Sequence, residues 1–316
     1  MRIDAHTHLG LNGYTSDSLI QYMDRHGIDR SCLLSWEERE PPLPSLHIDL
    51  RPEPILEAAK RHPDRFIPFY APDPKDPKAL QRLKQSFGQG FKGCGELKVS
   101  LQWKHELLTP YLECLNGLKS ALIVHMEQPR QHYLQEKEGR MEWVLERLMN
   151  DKFNGVSGYY LDAFASRTGI LKKKIRRNRV PFPGILYDFE GLENRLKAFP
   201  NIRFVGHGPG FWNAIAAHSH PRYIHQKGRI RSFGLIDRLL EEYDNLYCDL
   251  SGHSGFNAMN RDRPQSKLFL EKHANKVMFG SDNTGLPLID LLESLKLDKG
   301  LSKGIMGRTA EKVLLN

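Results

Sequence analysis

The chain has 316 residues, 40% of them hydrophobic and 27% charged, a balance that supports one large folded domain or two ordinary ones and excludes disordered and collagen-like chains. Four cysteines without a CxxC pair exclude a disulfide scaffold and point to a reducing, cytoplasmic setting. No apolar run is long enough for a membrane span, and the strand-like MRIDAHTHLG begins at Met1, so neither a membrane anchor nor a secretory leader is expected. The net charge of +8 is concentrated between Ala163 and Ile236, and the rest of the chain is net acidic.

The predicted elements alternate in type. Residues 3–8 read as a first strand, and Ser16 followed by Leu19, Ile20 and Met23 before Gly27 reads as a capped helix. Residues 31–35 and 66–70 are the second and third strands. Asp76-Pro77, with Leu80, Leu83 and Phe87 before Gly88, predicts a helix with a cap, a first-turn proline and a glycine stop. Residues 91–99 form the fourth strand, Thr109-Pro110 with Leu112, Leu115 and Leu118 the helix after it, and residues 121–126 the fifth strand. The sixth, seventh and eighth strands fall at 202–207, 246–250 and 277–282, with a helix at Leu235, Leu239 and Tyr243.

Eight strand–helix units in a chain of this length predict an α/β fold of the (β/α)₈ TIM-barrel type, distorted by a long insertion after strand five. A doubly wound open sheet is the alternative, although no glycine-rich phosphate loop follows the first strand. The whole span 1–316 reads as a single domain, and residues 128–187 as a basic insertion or lid.

The polar residues at strand ends carry the chemistry. His6 and His8 are two apart on strand one; Glu96 lies in strand four; His125, His207 and Asp282 close strands five, six and eight. A barrel gathers such positions at one mouth. Imidazoles and carboxylates in this mixture suit Zn²⁺ or a similar divalent ion, which lowers the pKa of water toward neutrality. Taken singly, each has a plainer reading: Glu96 pairing with Lys98 or Lys92, Asp282 capping a helix, a strand-end histidine held by hydrogen bonds. Their joint placement predicts metal-assisted hydrolysis.

DAHTHLG at 4–10, IVHME at 123–127, FVGHGPG at 204–210, FGSDN at 279–283 and IMGRTAEKVL at 305–314 resemble the amidohydrolase superfamily, most closely its amidohydrolase-related, aminocarboxymuconate semialdehyde decarboxylase-like group. The resemblance implies His6, His8, His125 and Asp282 as primary metal positions, with His207 a second-metal ligand or catalytic group. It implies one or two ions, most simply Zn²⁺, two if Glu96 bridges, with Lys98 a fallback bridge. Asp282 then activates water and His207 orients or protonates the developing oxyanion. Members of this kind hydrolyse amides, esters or lactones, or decarboxylate aromatic or dienoic acids; Glu96 favours hydrolysis here. A homodimer is the assembly such relatives suggest.

The basic stretch holds two clusters, Lys172, Lys173, Lys174, Arg176, Arg177 and Arg179, then Arg222, Lys227, Arg229 and Arg231. Arg222, Arg229 and Arg231 are the expected grip on an anionic small-molecule substrate, and Trp36 and Trp103, directly after strands two and four, the expected pocket walls. Tyr14, Tyr159, Tyr160, Phe211 and Trp212 are further aromatics near the expected mouth. A TatD-like metal-dependent nuclease is a competing reading, but no stacking aromatics interleave the lysine cluster, which argues against a nucleic-acid partner.

Overall fold

The structure is a computed structural model that describes residues 1–43, 47–135, 139–149, 173–175, 177–219 and 223–315. Tyr159, Tyr160, Lys172, Arg176 and Arg222 lie outside the described residues, as does much of the expected insertion.

In chain order the strands are β1 Ile3–Thr7, β2 Arg30–Leu34, β3 Phe66–Phe69, β4 Cys94–Leu97, β5 Ala121–His125, β6 Arg130–Tyr133, β7 Arg179–Phe182, β8 Arg203–His207, β9 Leu246–Asp249 and β10 Val277–Met278. Two parallel sheets, β1-β2-β3 and β10-β9-β8-β5-β4, supply the eight barrel strands. Backbone bonds join them at both seams. Tyr70 N donates to Gly93 O at 3.1 Å and Lys92 N to Pro68 O at 2.8 Å, linking β3 to β4. Ala5 N donates to Phe279 O at 3.0 Å and Asp282 N to His6 O at 2.8 Å, linking the end of the last strand to β1. The protein is therefore a TIM-type barrel. The antiparallel pair β6·β7 forms a separate two-stranded sheet, its strands near the two ends of the span expected as an insertion.

The barrel is filled by side chains. Ile3, Ala5, Cys32, Leu34, Ile67, Phe69, Ala121, Ile123, Val205, Tyr247 and Met278 pack as one buried cluster, plugged by Ala310, Val313 and Leu314 of the helix Thr309–Leu314. Arg203 Nε ties this plug to β8 by donating to Val313 O at 2.8 Å. A second apolar cluster lies between the strands and the surrounding helices. Among the described residues no helix is long and apolar enough to cross a membrane.

Local chemistry sets the helix ends. Thr15 and Ser18 cap Ser16–His26 reciprocally, and Gly27 ends it with φ +61°. The third helix differs from expectation: it runs Ala79–Gln89 and stops at Gly90, not Gly88. Asp76 sits in the preceding turn instead of at the cap, accepting from Lys78 N at 3.0 Å and pairing with Arg82 at 2.9 Å. The last barrel strand, β10, is also shorter than expected: its ladder with β9 ends at Met278, and Phe279 N donates to Ile305 O instead.

Candidate metal centre

Strict alternation explains how three of the site residues reach the mouth. On β5 the interior positions are Ala121 and Ile123, then His125; on β8 Val205, then His207; on β9 Tyr247, then Asp249. Two strands break the rule. Ile3 and Ala5 point inward, so a regular β1 would turn His6 and His8 outward, but its register shifts between Asp4 and Thr7. The register of β4 shifts between Cys94 and Leu97. There Cys94 faces Tyr111 in the outer layer, a Cβ on Gly95 would meet Ile123 Cβ at 2.9 Å, and Glu96 still reaches the mouth. Such irregularities re-aim side chains at functional sites.

The six sequence-predicted ligands converge. Possible ligand atoms of His6, His8 and Glu96 lie within 4.8 Å of one another, as do those of Glu96, His125 and His207, and of His6, His207 and Asp282. His6 Nε2 is 3.2 Å from His8 Nε2, and Glu96 is 3.6 Å from His8 Nε2 through Oε2 and 2.8 Å from His125 Nδ1 through Oε1. Asp282 Oδ1 is 3.5 Å from His8 Nε2, and its Oδ2 is 3.9 Å from His207 Nε2. Glu96 makes its close pairs with imidazoles, while the Lys98 ammonium lies 3.8 Å over the Trp36 ring and acts on Glu96 only through its charge. Asp282 caps no helix; it adopts φ +52° in an open turn.

Each imidazole has an acceptor near its outward nitrogen. His8 Nδ1 faces Leu34 O at 2.9 Å, His6 Nδ1 faces Asp249 Oδ2 at 3.2 Å, His207 Nδ1 faces Asp249 Oδ1 at 3.0 Å, and His125 Nε2 lies 3.5 Å from Glu127 Oε2. Held in those tautomers, the inward nitrogens present lone pairs to the cluster centre, as metal-ligating histidines do. The donor set of buried imidazoles and carboxylates fits a divalent ion.

Electrostatics agree with that crowding. Burial works against a charged His6, yet Asp249, Glu96 and Asp282 raise it to about 9. His8, buried beside His6, is pushed down to about 4. Burial opposes ionisation of Glu96, but Lys98 and His125 hold it well below the usual carboxylate range. Asp249 is likewise held low by His207 and His6 against its burial.

Asp249 is the residue the sequence reading passes over. It is fully buried, sits at a strand end like the others, and touches both His6 and His207. Its position in an apolar LYCDLSG run was the available signal. Asn283 was also passed over: it brackets His8, accepting from its N–H at 2.7 Å and donating to its carbonyl at 3.0 Å.

The expected substrate residues are scattered. Trp36 is almost buried and bonds through Nε1 to Lys98 O at 3.0 Å. Trp103 is corrected: it is fully buried in the core against Phe204, with no face open to a pocket. Arg229 and Arg231 are exposed and contact none of the ligand cluster. A cavity of about 760 Å³ lies elsewhere, among Glu37, Arg39, Asp76 and Arg82, and none of the six ligands lines it.

Comparison with known proteins agrees with the barrel fold. The chain resembles an uncharacterised TIM-barrel protein from Bordetella bronchiseptica at 13% identity and TM-score 0.59, covering 99% of this chain and 98% of that one. It resembles 2,6-dihydroxybenzoate decarboxylase from Rhizobium at 16% identity and TM-score 0.56, with the same coverage. A dihydroxybenzoic acid decarboxylase from Polaromonas sp. JS666, with bound manganese, is 15% identical at TM-score 0.54 over 99% of this chain and 96% of that one. No curated protein sequence matches. The family model described as Amidohydrolase matches residues 51–315, a span that holds Glu96, His125, His207, Asp249 and Asp282. The chain belongs to the amidohydrolase family.

Proposed function

We propose that this protein is a metal-dependent hydrolase that opens an amide, ester or lactone of a small anionic molecule. The observation that carries the reading is the position of Glu96, within 4.8 Å of ligand atoms from His6 and His8 on one side and from His125 and His207 on the other. A carboxylate between two imidazole groups suits two ions, with Zn²⁺ the first choice for such donors; manganese is the ion in the Polaromonas relative. A divalent ion held there supplies Lewis-acid activation of water and of a carbonyl.

The chain's own groups do the rest. His6, His8 and Asp282 would hold one ion and His125 and His207 a second, with the Glu96 carboxylate available to both. Asp282, whose side chain is 23% exposed, faces the open side and accepts the proton of the attacking water. Asp282, whose Oδ2 lies 3.9 Å from His207 Nε2, then passes that proton to the leaving group; with one ion only, a protonated His207 would instead orient and protonate the developing oxyanion. Trp36 is the proposed wall of the mouth, and the exposed Arg229 and Arg231 steer anions toward it. The free cysteines, three buried and Cys114 half-buried, suit a reducing cytoplasm.

The second reading, decarboxylation of an aromatic acid, draws on the decarboxylases that share the fold. One experiment separates them. Metal-loaded protein is incubated in ¹⁸O-water with 2-pyrone-4,6-dicarboxylate and with 2,6-dihydroxybenzoate, the compounds named for two fold relatives. Hydrolysis places one ¹⁸O in the product; release of carbon dioxide without ¹⁸O in the organic product supports decarboxylation. Turnover that survives His6→Ala or Asp282→Ala contradicts both.

A further inference from the structure

Beside the metal cluster lies a set of polar groups that metal ligation does not use. Glu127, two residues beyond His125, accepts an ion-paired hydrogen bond from Arg130 Nη1. The Arg130 guanidinium rests 4.5 Å over the Phe182 ring of β7, which fixes its plane. Its Nε is buried without a hydrogen-bond partner, and its Nε–Nη2 edge makes no hydrogen bond among the described residues.

A second loop approaches the same place. Asn213 Nδ2 donates to Tyr223 O at 3.2 Å and to Ile224 O at 2.9 Å, fixing the segment that carries His225. His225 Nδ1 is also buried and unpartnered, and the ring stands 6.4 Å from that of His253. Gln128 Nε2 donates to Tyr223 O at 3.0 Å, which ties this segment to the residue next to Glu127. His253 follows Gly252, where a Cβ would meet Asp282 Oδ2 at 2.7 Å. The arc from Arg130 through His225 to His253 therefore runs along the rim from His125 to Asp282.

A buried polar nitrogen without a partner is destabilising, and two such nitrogens, Arg130 Nε and His225 Nδ1, call for an acceptor. We propose that Arg130, backed by His225, is the carboxylate clamp of the substrate site. The Nε–Nη2 edge takes the two carboxylate oxygens side on, and Glu127 holds the fork in place. Because the Glu127–Arg130 pair is neutral as a unit, it suits a monoanionic carboxylate better than a dianionic phosphate. This rests on the metal-site reading above and assigns its substrate class.

The test uses benzoate and its neutral counterpart benzamide, titrated calorimetrically into the full chain with and without Zn²⁺. Wild-type protein binds benzoate more tightly than benzamide. Arg130→Gln weakens benzoate by about 10- to 100-fold, the worth of a charged hydrogen-bonded pair, and leaves benzamide binding and metal content unchanged. Arg130→Lys keeps the pair to Glu127 and serves if the glutamine variant does not fold; it loses part of the affinity because a point charge replaces the fork. The clamp is overturned by wild-type benzoate affinity in both variants, by an equal loss for benzamide, or by no saturable benzoate binding to wild type. Failure of the wild type to take up metal sinks the metal-site reading, while the titration without metal still decides the clamp.

Discussion

Replacing Asp249 by asparagine keeps the shape of the side chain and removes one of its two acceptors. Oδ1 now receives three donors: His207 Nδ1 at 3.0 Å, Ser251 N at 3.0 Å and the Ser251 hydroxyl. Oδ2 receives only His6 Nδ1, at 3.2 Å. The amide oxygen therefore takes the crowded position, and the NH₂ group faces His6. That ring must then accept at Nδ1 and carry its proton on Nε2, the nitrogen that faces His8 and Glu96. Loss of an outer partner of this kind costs roughly 10- to 100-fold in metal affinity, about 1.4–2.7 kcal/mol, and here it falls on the ion held by His6 and His8. Competition against a chromophoric chelator, with metal content measured by plasma mass spectrometry, reads both affinity and stoichiometry; a thermal melt of the metal-free protein checks the fold. An asparagine variant that keeps wild-type affinity and stoichiometry refutes the tautomer argument.

Two further outcomes follow from the geometry. A Cβ on Gly252 would sit 2.7 Å from Asp282 Oδ2 at a φ of +70°; Gly252→Ala should cost about 1–2 kcal/mol in backbone strain and loosen metal retention, and a denaturant melt with wild-type midpoint and metal content would contradict this. Hydrogen bonds from Arg238 and Tyr243 hold Glu193 down at about 2, below its ordinary 4.5. Its contribution is present above pH 4.5 and fades as pH falls toward 2, and solvent keeps it small because the group is partly exposed. The stability gap between wild type and Glu193→Gln should therefore narrow between pH 6 and pH 2.5 in urea melts, and a constant gap would count against the pairing.

Strand ends were readable because β5 and β8 obey the alternation that any apolar strand follows, so His125 and His207 announce themselves after Ile123 and Val205. His6 and His8 were picked out by their two-residue spacing at the end of β1 and Glu96 by its place within β4; their inward direction depends on register shifts in those strands, which no local pattern encodes. Asp249 was missed for the opposite reason, since a carboxylate in an apolar run looks isolated until the fold brings two imidazoles to it from 243 and 42 residues away. Trp103 shows the converse error. It follows β4 closely in sequence, but the chain folds back and buries it against Phe204 and Gly191, where apolar area is worth more than a view of the mouth. Arg130 sat in plain sight beside IVHME, overshadowed by the denser charge of the exposed basic segment.

The central claim is a metal centre built from His6, His8, Glu96, His125, His207 and Asp282. Its most direct test is metal content per chain, measured by plasma mass spectrometry after loading with Zn²⁺ or Mn²⁺ and desalting, for the wild type, Glu96→Gln and the His6→Ala, His8→Ala double variant. The account predicts two ions per wild-type chain, at most one in either variant, and unchanged melting of the metal-free proteins. Wild-type protein that retains no metal after loading, or variants that retain as much as the wild type, would contradict it.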